Sequence, residues 1–326
     1  MQHTFNISLL VKICFLTVSM LVSAAAQAWP DRALKMIVPF PAGGINDTVA
    51  RLTASYLGDE LGTSIVVENR GGAGGTIGTT VAAGSPADGY TILLGASSTI
   101  AVAPNLYKEL GYAPETDLVA LGGIGSAASL LVVASNAKWH SLSELVTVGR
   151  QSPGKVNYGS AGAGTSHHIK TELLQQRTGA NWTHVPYRGG APAMTDLMGG
   201  QIDFLLEPLP TALPYVESGR VKALGVTTLE RASMLPDVRT FDEQGISGYD
   251  ATLWFGLFAP AGVDEAISQR MADALQRVFA REAVRQDFEK RGVSVYKEPQ
   301  ARFQTFVASE IKRWGDVVRK AGIPMQ

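Results

Sequence analysis

Short apolar runs alternate with stretches whose apolar residues recur at helical spacing, and the alternation persists along most of the chain. The runs "LKMIVPF" (34–40), "SIVVEN" (64–69) and "YTILLGA" (90–96) read as buried strands. Between the first two, Ile45, Val49, Leu52, Tyr56 and Leu57 fall on one helical face. Strands and helices in this order build parallel sheets covered on both faces, so the expected fold class is α/β. The pattern restarts after residue 128 with "SLLVVAS", and Ser141 with Glu144 forms a capping box for the next helix. Strand-like "KVNYGS", "WTHVPY", "IDFLLE" and "VKALGVTT" then alternate with helical "SHHIKTELLQQR", "PAMTDLMGG" and a helix from Thr211.

A further apolar strand, "ATLWFGLFAPAG" (251–262), is followed by Asp264 as an N-cap. In the closing segment Phe303, Phe306, Val307, Trp314, Val317 and Val318 share a face, the spacing of a docked amphipathic helix. No period of 20 to 50 residues recurs and no low-complexity linker interrupts the chain, so domain limits must fall within ordered segments. The apolar strands near 130 and 254 are the expected crossings. They divide the chain into 29–128 with 254–326, and 129–253 between them.

The N-terminus reads differently. Lys12 precedes the apolar run "ICFLTVSMLVSAAA", which ends in the small-x-small pattern Ala26-Gln27-Ala28, the layout of a secretory signal peptide over residues 1–28. Mature protein is expected to begin near Trp29 and to be periplasmic. The only cysteine, Cys14, lies inside that segment, which removes disulfides, thiol catalysis and cysteine metal sites from consideration. Without Lys12 the charge is 27 basic against 29 acidic residues. With no basic excess and no basic run, nucleic acid is not an expected partner.

Two glycine loops carry the chemistry. In "VPFPAGGIND" (38–47) a strand ends and a helix begins, presenting free amides and the positive end of a helix dipole. Gly43 and Gly44 remove side chains that would block a ligand from those amides, which makes a carboxylate or phosphate receptor. A purely structural turn, with Asp47 capping the helix, fits the pattern equally well. "NYGSAGAGTSHH" (157–168) repeats the arrangement with Ser160, Gly162, Gly164 and Thr165. Two such loops in successive α/β units favour a ligand held between domains.

Enzyme signatures fail in turn. Tyr158 occupies the first glycine position of a G-x-S-x-G elbow around Ser160. Neither "GAGTSH" nor "GGAGGTI" completes a dinucleotide fingerprint, and no phosphate-binding G-x-x-x-x-G-K-[ST] loop is present. "ENRGGAGGTIG" (68–78) reads as a structural loop. His167 and His168 are adjacent and would point apart on a helix, against joint metal chelation. His168 and Glu172, four apart, read as a helix-surface pair.

At these loops the chain resembles the substrate-binding proteins of tripartite tricarboxylate transporters, the Bug-type extracytoplasmic receptors. The resemblance runs from Trp29 to about Ile323. It is carried by "WPDR", "VPFPAGGIND..AR", "VVENRGGAGGTIG", "ADGYTILLGASS", "PNLY", "PGKVNYGSAGAGTSHH", "THVPYRGGAPAMTDLMGGQIDF", "LPDVRTFDEQG" and "WFGLFAPAG", in order. It implies a two-domain, type II periplasmic-binding-protein (Venus flytrap) architecture with the ligand cleft between domains. It also implies capture of a small carboxylate and delivery to a membrane permease, with no catalysis, no cofactor, no metal and a monomeric chain.

Carried over residue by residue, the resemblance implies Ala42, Gly43, Gly44 and Asp47 on one jaw. Ser160, Gly162, Gly164, Thr165 and His168 fall on the other, with Phe40, Ser98 and Tyr187 lining the cleft. The chain departs from the family at Glu207-Pro208, where Asp-Asn is common before "LPSALP", and at His167 and Lys170, where small residues are common. Glu207 is therefore placed at the far end of the ligand. The alternative function is an exported α/β hydrolase or lyase using Ser160 and His168.

Overall fold

The computed structural model describes residues 29–321 together with Ile323 and Met325. The expected signal segment lies outside the described residues. Two sheets organise the rest. Strands β1 (Leu34–Val38), β2 (Ile65–Asn69), β3 (Thr91–Ala96), β4 (Leu118–Ala127), β10 (Leu253–Pro260) and β11 (Ser294–Val295) form a six-stranded sheet in the order β11-β4-β10-β3-β1-β2. Strands β5 (Ser129–Ala134), β6 (Asn157–Ser160), β7 (Thr183–Pro186), β8 (Phe204–Pro208) and β9 (Val221–Val226) form a five-stranded sheet in the order β7-β6-β8-β5-β9. Each sheet is the centre of one α/β domain.

The expectation of parallel sheets holds for only part of each. β1 pairs parallel with β2 and β3, and β6 pairs parallel with β7 and β8. β10, however, is antiparallel to both β3 and β4, and β5 is antiparallel to both β8 and β9. The reason is topological. β5 and β10 are the strands the chain uses on entering a domain from the other one, so no crossover helix sets their direction. Both are buried on both faces, which is why they read as unbroken apolar runs.

Local signals account for the helices that bear on the site. Helix Ile45–Leu61 starts at Gly44, which has extended backbone and no side-chain cap, and ends at Gly62 in the left-handed region. Ser141 caps helix Leu142–Gln151 by accepting the Glu144 amide at 3.2 Å, while the Glu144 carboxylate takes the His140 amide at 2.8 Å. Asp264 caps Glu265–Ala280 through the amides of Ala266 and Ile267.

The closing helix, Gln300–Ala321, belongs to neither domain alone. Its Phe303, Val307, Trp314 and Val318 join one apolar core with Leu93 and Ile100 of the first domain and Leu131, Tyr158 and Phe204 of the second. Asn105 donates to the Ile311 carbonyl at 3.2 Å, and Gln176 donates to the Val317 carbonyl at 2.8 Å. Glu310, buried on this helix, accepts from the indoles of Trp254 and Trp314 at 2.9 and 2.8 Å. Its other oxygen pairs with Arg313 at 2.9 Å.

The crossings carry a second buried charge. Lys170 is 2 % exposed and donates to the hydroxyl of Ser129, the first residue of β5, at 2.9 Å. Tyr249, ahead of the return crossing, donates to the Lys170 carbonyl at 2.7 Å. Burial pulls the Lys170 ammonium down to about 7, against the opposing pull of Asp250, Glu207 and Glu310.

Candidate cleft between two glycine loops

In the first domain the parallel strands deliver their C-terminal ends to one edge, the position at which open α/β sheets bind ligands. The loop after β1 holds Phe40, Ala42, Gly43 and Gly44. Ala42 and Gly43 are exposed, and a Cβ placed on Gly43 would meet nothing within 4 Å. Gly43 has φ +86°, so its backbone suits glycine rather than an L side chain. Asp47 is buried and braces the loop. One of its carboxylate oxygens accepts the Gly43 amide and Arg51 Nε, both at 3.0 Å. The other accepts Asn69 Nδ2 at 3.0 Å. Burial pushes the Asp47 carboxyl up, but hydrogen bonds from Arg51, Gly43 and Asn69 bring it below the usual range. The Gly43 amide is thus spent inside the loop. The amides from Gly44 into the first turn are the ones no side chain caps.

The segment after β2 belongs to the same edge. A Cβ on Gly75 would fall 2.6 Å from Thr99 Cγ2 and 3.0 Å from Phe40 Cζ, so three loops converge there without room to spare. Gly71 packs closely on Pro41 as well, with a Cβ there 3.1 Å from Pro41 Cδ. "ENRGGAGGTIG" is therefore structural, as read, and it supports the first glycine loop directly. Ser98, beside Thr99 in the turn after β3, is buried at this junction.

The second loop is built from rings. Ser160 ends β6 fully buried; its hydroxyl accepts the Gly162 amide at 3.0 Å and lies 2.6 Å from His184 Nε2. Thr165 donates to the Gly162 carbonyl at 2.7 Å, and the Gly164 amide donates to His168 Nδ1 at 3.1 Å. His168 stacks on His184 with centroids 4.1 Å apart and planes 6° apart, and His184 stacks on Tyr158 at 4.9 Å. Burial lowers both imidazoles to about 4, helped at His168 by the charge His184 would carry. Both are neutral at pH 7. The Tyr187 amide donates to the Ser160 carbonyl at 3.0 Å, and its hydroxyl donates to Asp196 at 2.8 Å. Glu207, buried near the end of β8, pairs with His167 at 3.0 Å.

These distances bear on the two histidine expectations. His168 and Glu172 are not a surface pair. Their closest atoms are 3.7 Å apart inside the protein, and Glu172 accepts from Tyr158 at 2.6 Å and from Gln175 at 2.7 Å. Ser160 faces His184 instead of His168, whose Nδ1 already holds the Gly164 amide. A nucleophile must be reachable, and this hydroxyl has no exposed surface.

The second loop meets the first domain at Leu106, next to Tyr107, which also reaches the segment after β2. A Cβ on Gly164 would lie 2.9 Å from Leu106 Cδ1, and one on Gly74 would lie 3.2 Å from the Tyr107 hydroxyl. Sequence reasoning did not mark Leu106, Tyr107, Tyr158 or His184. The register Tyr158↔His184 between β6 and β7 supplies the missing signal for two of them, since paired aromatic residues on one face must stack. A groove of about 390 Å³ opens elsewhere, between β4, helix Glu265–Ala280 and the segment 296–300, and shares no residue with either loop.

The chain is similar to known proteins along most of its length. The model of the tripartite tricarboxylate transporter family receptor matches residues 49–323. Protein BugT of Bordetella pertussis is 36% identical over 317 residues, covering 97% of both chains. An R. palustris protein, Rpa4515, solved with adipate, is 33% identical with a TM-score of 0.85, covering 91% of this chain and 99% of its own. The periplasmic binding protein BugD is 34% identical with a TM-score of 0.83, covering 91% and 100%. MatC from Rhodopseudomonas palustris, solved with bound malate, is 32% identical with a TM-score of 0.81, covering 89% and 100%.

Proposed function

On the premise that this chain belongs to the tripartite tricarboxylate transporter receptor family, a periplasmic solute receptor and not an enzyme, we propose how it works. It captures a small carboxylate between its two domains and delivers it to a tripartite tricarboxylate-type membrane permease. The domains are 29–128 with 254–326, and 129–253, after removal of a signal peptide near Ala28. The grip comes from the two glycine loops, with Phe40, Ser98 and Tyr187 bordering the cleft and Glu207 at its far end.

One observation carries the reading. Helix Ile45–Leu61 begins at an exposed glycine loop with no side chain on its first-turn amides, so the positive end of a 17-residue helix is open to an anion. The second loop has spent several of its donors on itself: the amides of Gly162 and Gly164 are both satisfied within the loop. That makes it a rigid wall, preformed before ligand arrives. A grip made of dipoles also avoids the desolvation penalty of a buried ion pair, which suits a receptor that must release its cargo.

A thermal-shift screen of residues 29–326 against mono-, di- and tricarboxylates and their uncharged amides tests the proposal. Stabilisation by certain acids, lost with their amides, is the expected result. Gly44→Val protein that folds normally and still binds the same acids undiminished would sink it.

A further inference from the structure

The hydroxyl of Tyr107 stands between a loop of each domain. A Cβ on Gly74, in the segment after β2, would lie 3.2 Å from it, and a Cβ on Gly164, in the second glycine loop, would lie 3.8 Å from it. Both glycines have positive φ, +65° and +74°, backbone that an L side chain rarely adopts. Two bare backbones from opposite domains therefore flank one phenol oxygen. The segment after β2 also reaches the first glycine loop, because Gly75 packs against the Phe40 ring. The row Phe40, Gly75, Gly74, Tyr107, Gly164 thus joins one jaw to the other.

The ring is firmly based, whereas its oxygen is not. The amides of Leu106 and Tyr107 both donate to the Ala103 carbonyl, at 3.0 and 3.1 Å, and the ring packs on the apolar core shared by the two domains. The hydroxyl reaches the Ala73 carbonyl at 3.4 Å. A well-made hydroxyl bond is about 2.7–2.8 Å long. Tyr56, Tyr112, Tyr158, Tyr187 and Tyr249 come close to that, donating at 2.9, 2.6, 2.6, 2.8 and 2.7 Å. Tyr107 is half-buried, and burial pushes its phenol up, so the proton stays on the oxygen at neutral pH. It is a neutral donor with a loose partner, uncovered between two glycines.

We propose that Tyr107 is a further ligand-binding residue, whose hydroxyl leaves the Ala73 carbonyl and donates to a carboxylate oxygen of the acid held between the two glycine loops. This rests on the carboxylate-receptor reading above. A carboxylate is the better acceptor, since hydrogen bonds to an ionised oxygen are shorter and stronger than neutral ones. The exchange costs the protein little, because the bond given up is long. It also supplies what the second loop lacks. The amides of Gly162 and Gly164 are spent within that loop, so the donor beside it comes from a side chain of the first domain. A ligand that engages the first domain's hydroxyl beside the second domain's loop favours the arrangement in which the two are together.

Titration calorimetry of residues 29–326 with succinate, malate and adipate tests it, on the unaltered protein and on Tyr107→Phe. The variant keeps the ring and loses the oxygen. Whichever of these acids binds the unaltered protein should bind the variant about tenfold or more weakly. The melting temperature without ligand should move by no more than about 2 °C, since one loose bond is lost. Binding to the unaltered protein should also shift the near-ultraviolet tyrosine absorbance, and Tyr107→Phe should remove most of that shift. Undiminished binding by the variant overturns the assignment. So does a loss of affinity accompanied by a large fall in the ligand-free melting temperature, which would make the hydroxyl a structural clasp. Failure of all three acids to bind the unaltered protein would instead overturn the carboxylate reading, and this assignment with it.

Discussion

The loop after β1 leaves Ala42 and Gly43 exposed and depends on one buried carboxylate, Asp47, for its shape. The loop after β6 has the same strand-to-helix plan but is packed against a stack of Tyr158, His184 and His168 and closed over by Leu106. The difference teaches that glycine serves two purposes here. Gly43 keeps a surface clear, whereas Gly164 permits a close approach between domains. An open, charge-braced loop and a closed, ring-braced loop should therefore fail under different insults.

The sharpest contrast is steric. Gly164→Val combines φ +74° with a Cβ that meets Leu106, so it should cost about 3 kcal/mol or more in urea unfolding. A cost near zero would mean that Leu106 does not close over the second loop at this residue.

Acid should separate the loops next. The folded pKa values of His168 and His184, about 4, lie below the ordinary 6.5. Their neutral packing contributes fully above pH 6.5 and is lost as the pH falls from there toward 4. Stability should drop by up to about 1.4 kcal/mol per pH unit for the buried His168 ring in that window, and by less for the half-buried His184, whose charge solvent partly screens. Asp47 responds in the same direction but in a more acidic window: its folded pKa lies below 3.8, so its contribution persists until the pH falls below that value. Following backbone amides of residues 40–47 and 160–168 by NMR from pH 7 to 3.5 should show the second loop loosening first. Simultaneous loosening would erase the distinction.

Asp47→Ala strips the first loop of its brace, leaving the Gly43 amide without its carboxylate and Asn69 held only by Phe40 and Arg51, for about 2 kcal/mol. The chemical denaturation midpoint checks it. The smallest effect belongs to Gly43→Ala, where space is open and only the backbone angle resists, about 1 kcal/mol. A Gly43→Ala cost equal to that of Gly164→Val would show that both glycines are kept for backbone conformation alone.

The alternation of strands and helices, the two loops and the capping residues were legible because they depend on neighbours in the chain. β4 was not. Gly122, Gly123 and Gly125 interrupt its apolar pattern, and the strand is defined by long-range pairing with β10 and β11. The mixed direction of both sheets was hidden for the same reason, since direction follows from how the chain re-enters a domain. At the cleft, backbone features such as Gly43 and Gly44 could be read from composition. The partners of Ser160, His167 and Glu172 could not, because His184, Glu207 and Tyr158 reach them only once β6, β7 and β8 are side by side.

The closing helix has a consequence for the order in which the molecule assembles. Asn105 finds Ile311 across 206 positions of chain, and Trp254 finds Glu310 across 56. The seam between the domains, Gln176 with Val317 included, therefore cannot close before Gln300–Ala321 has been made and has docked. A chain whose final helix is its keystone emerges with its apolar surfaces unsealed. Native packing across that seam becomes available only once Gln300–Ala321 is free to dock.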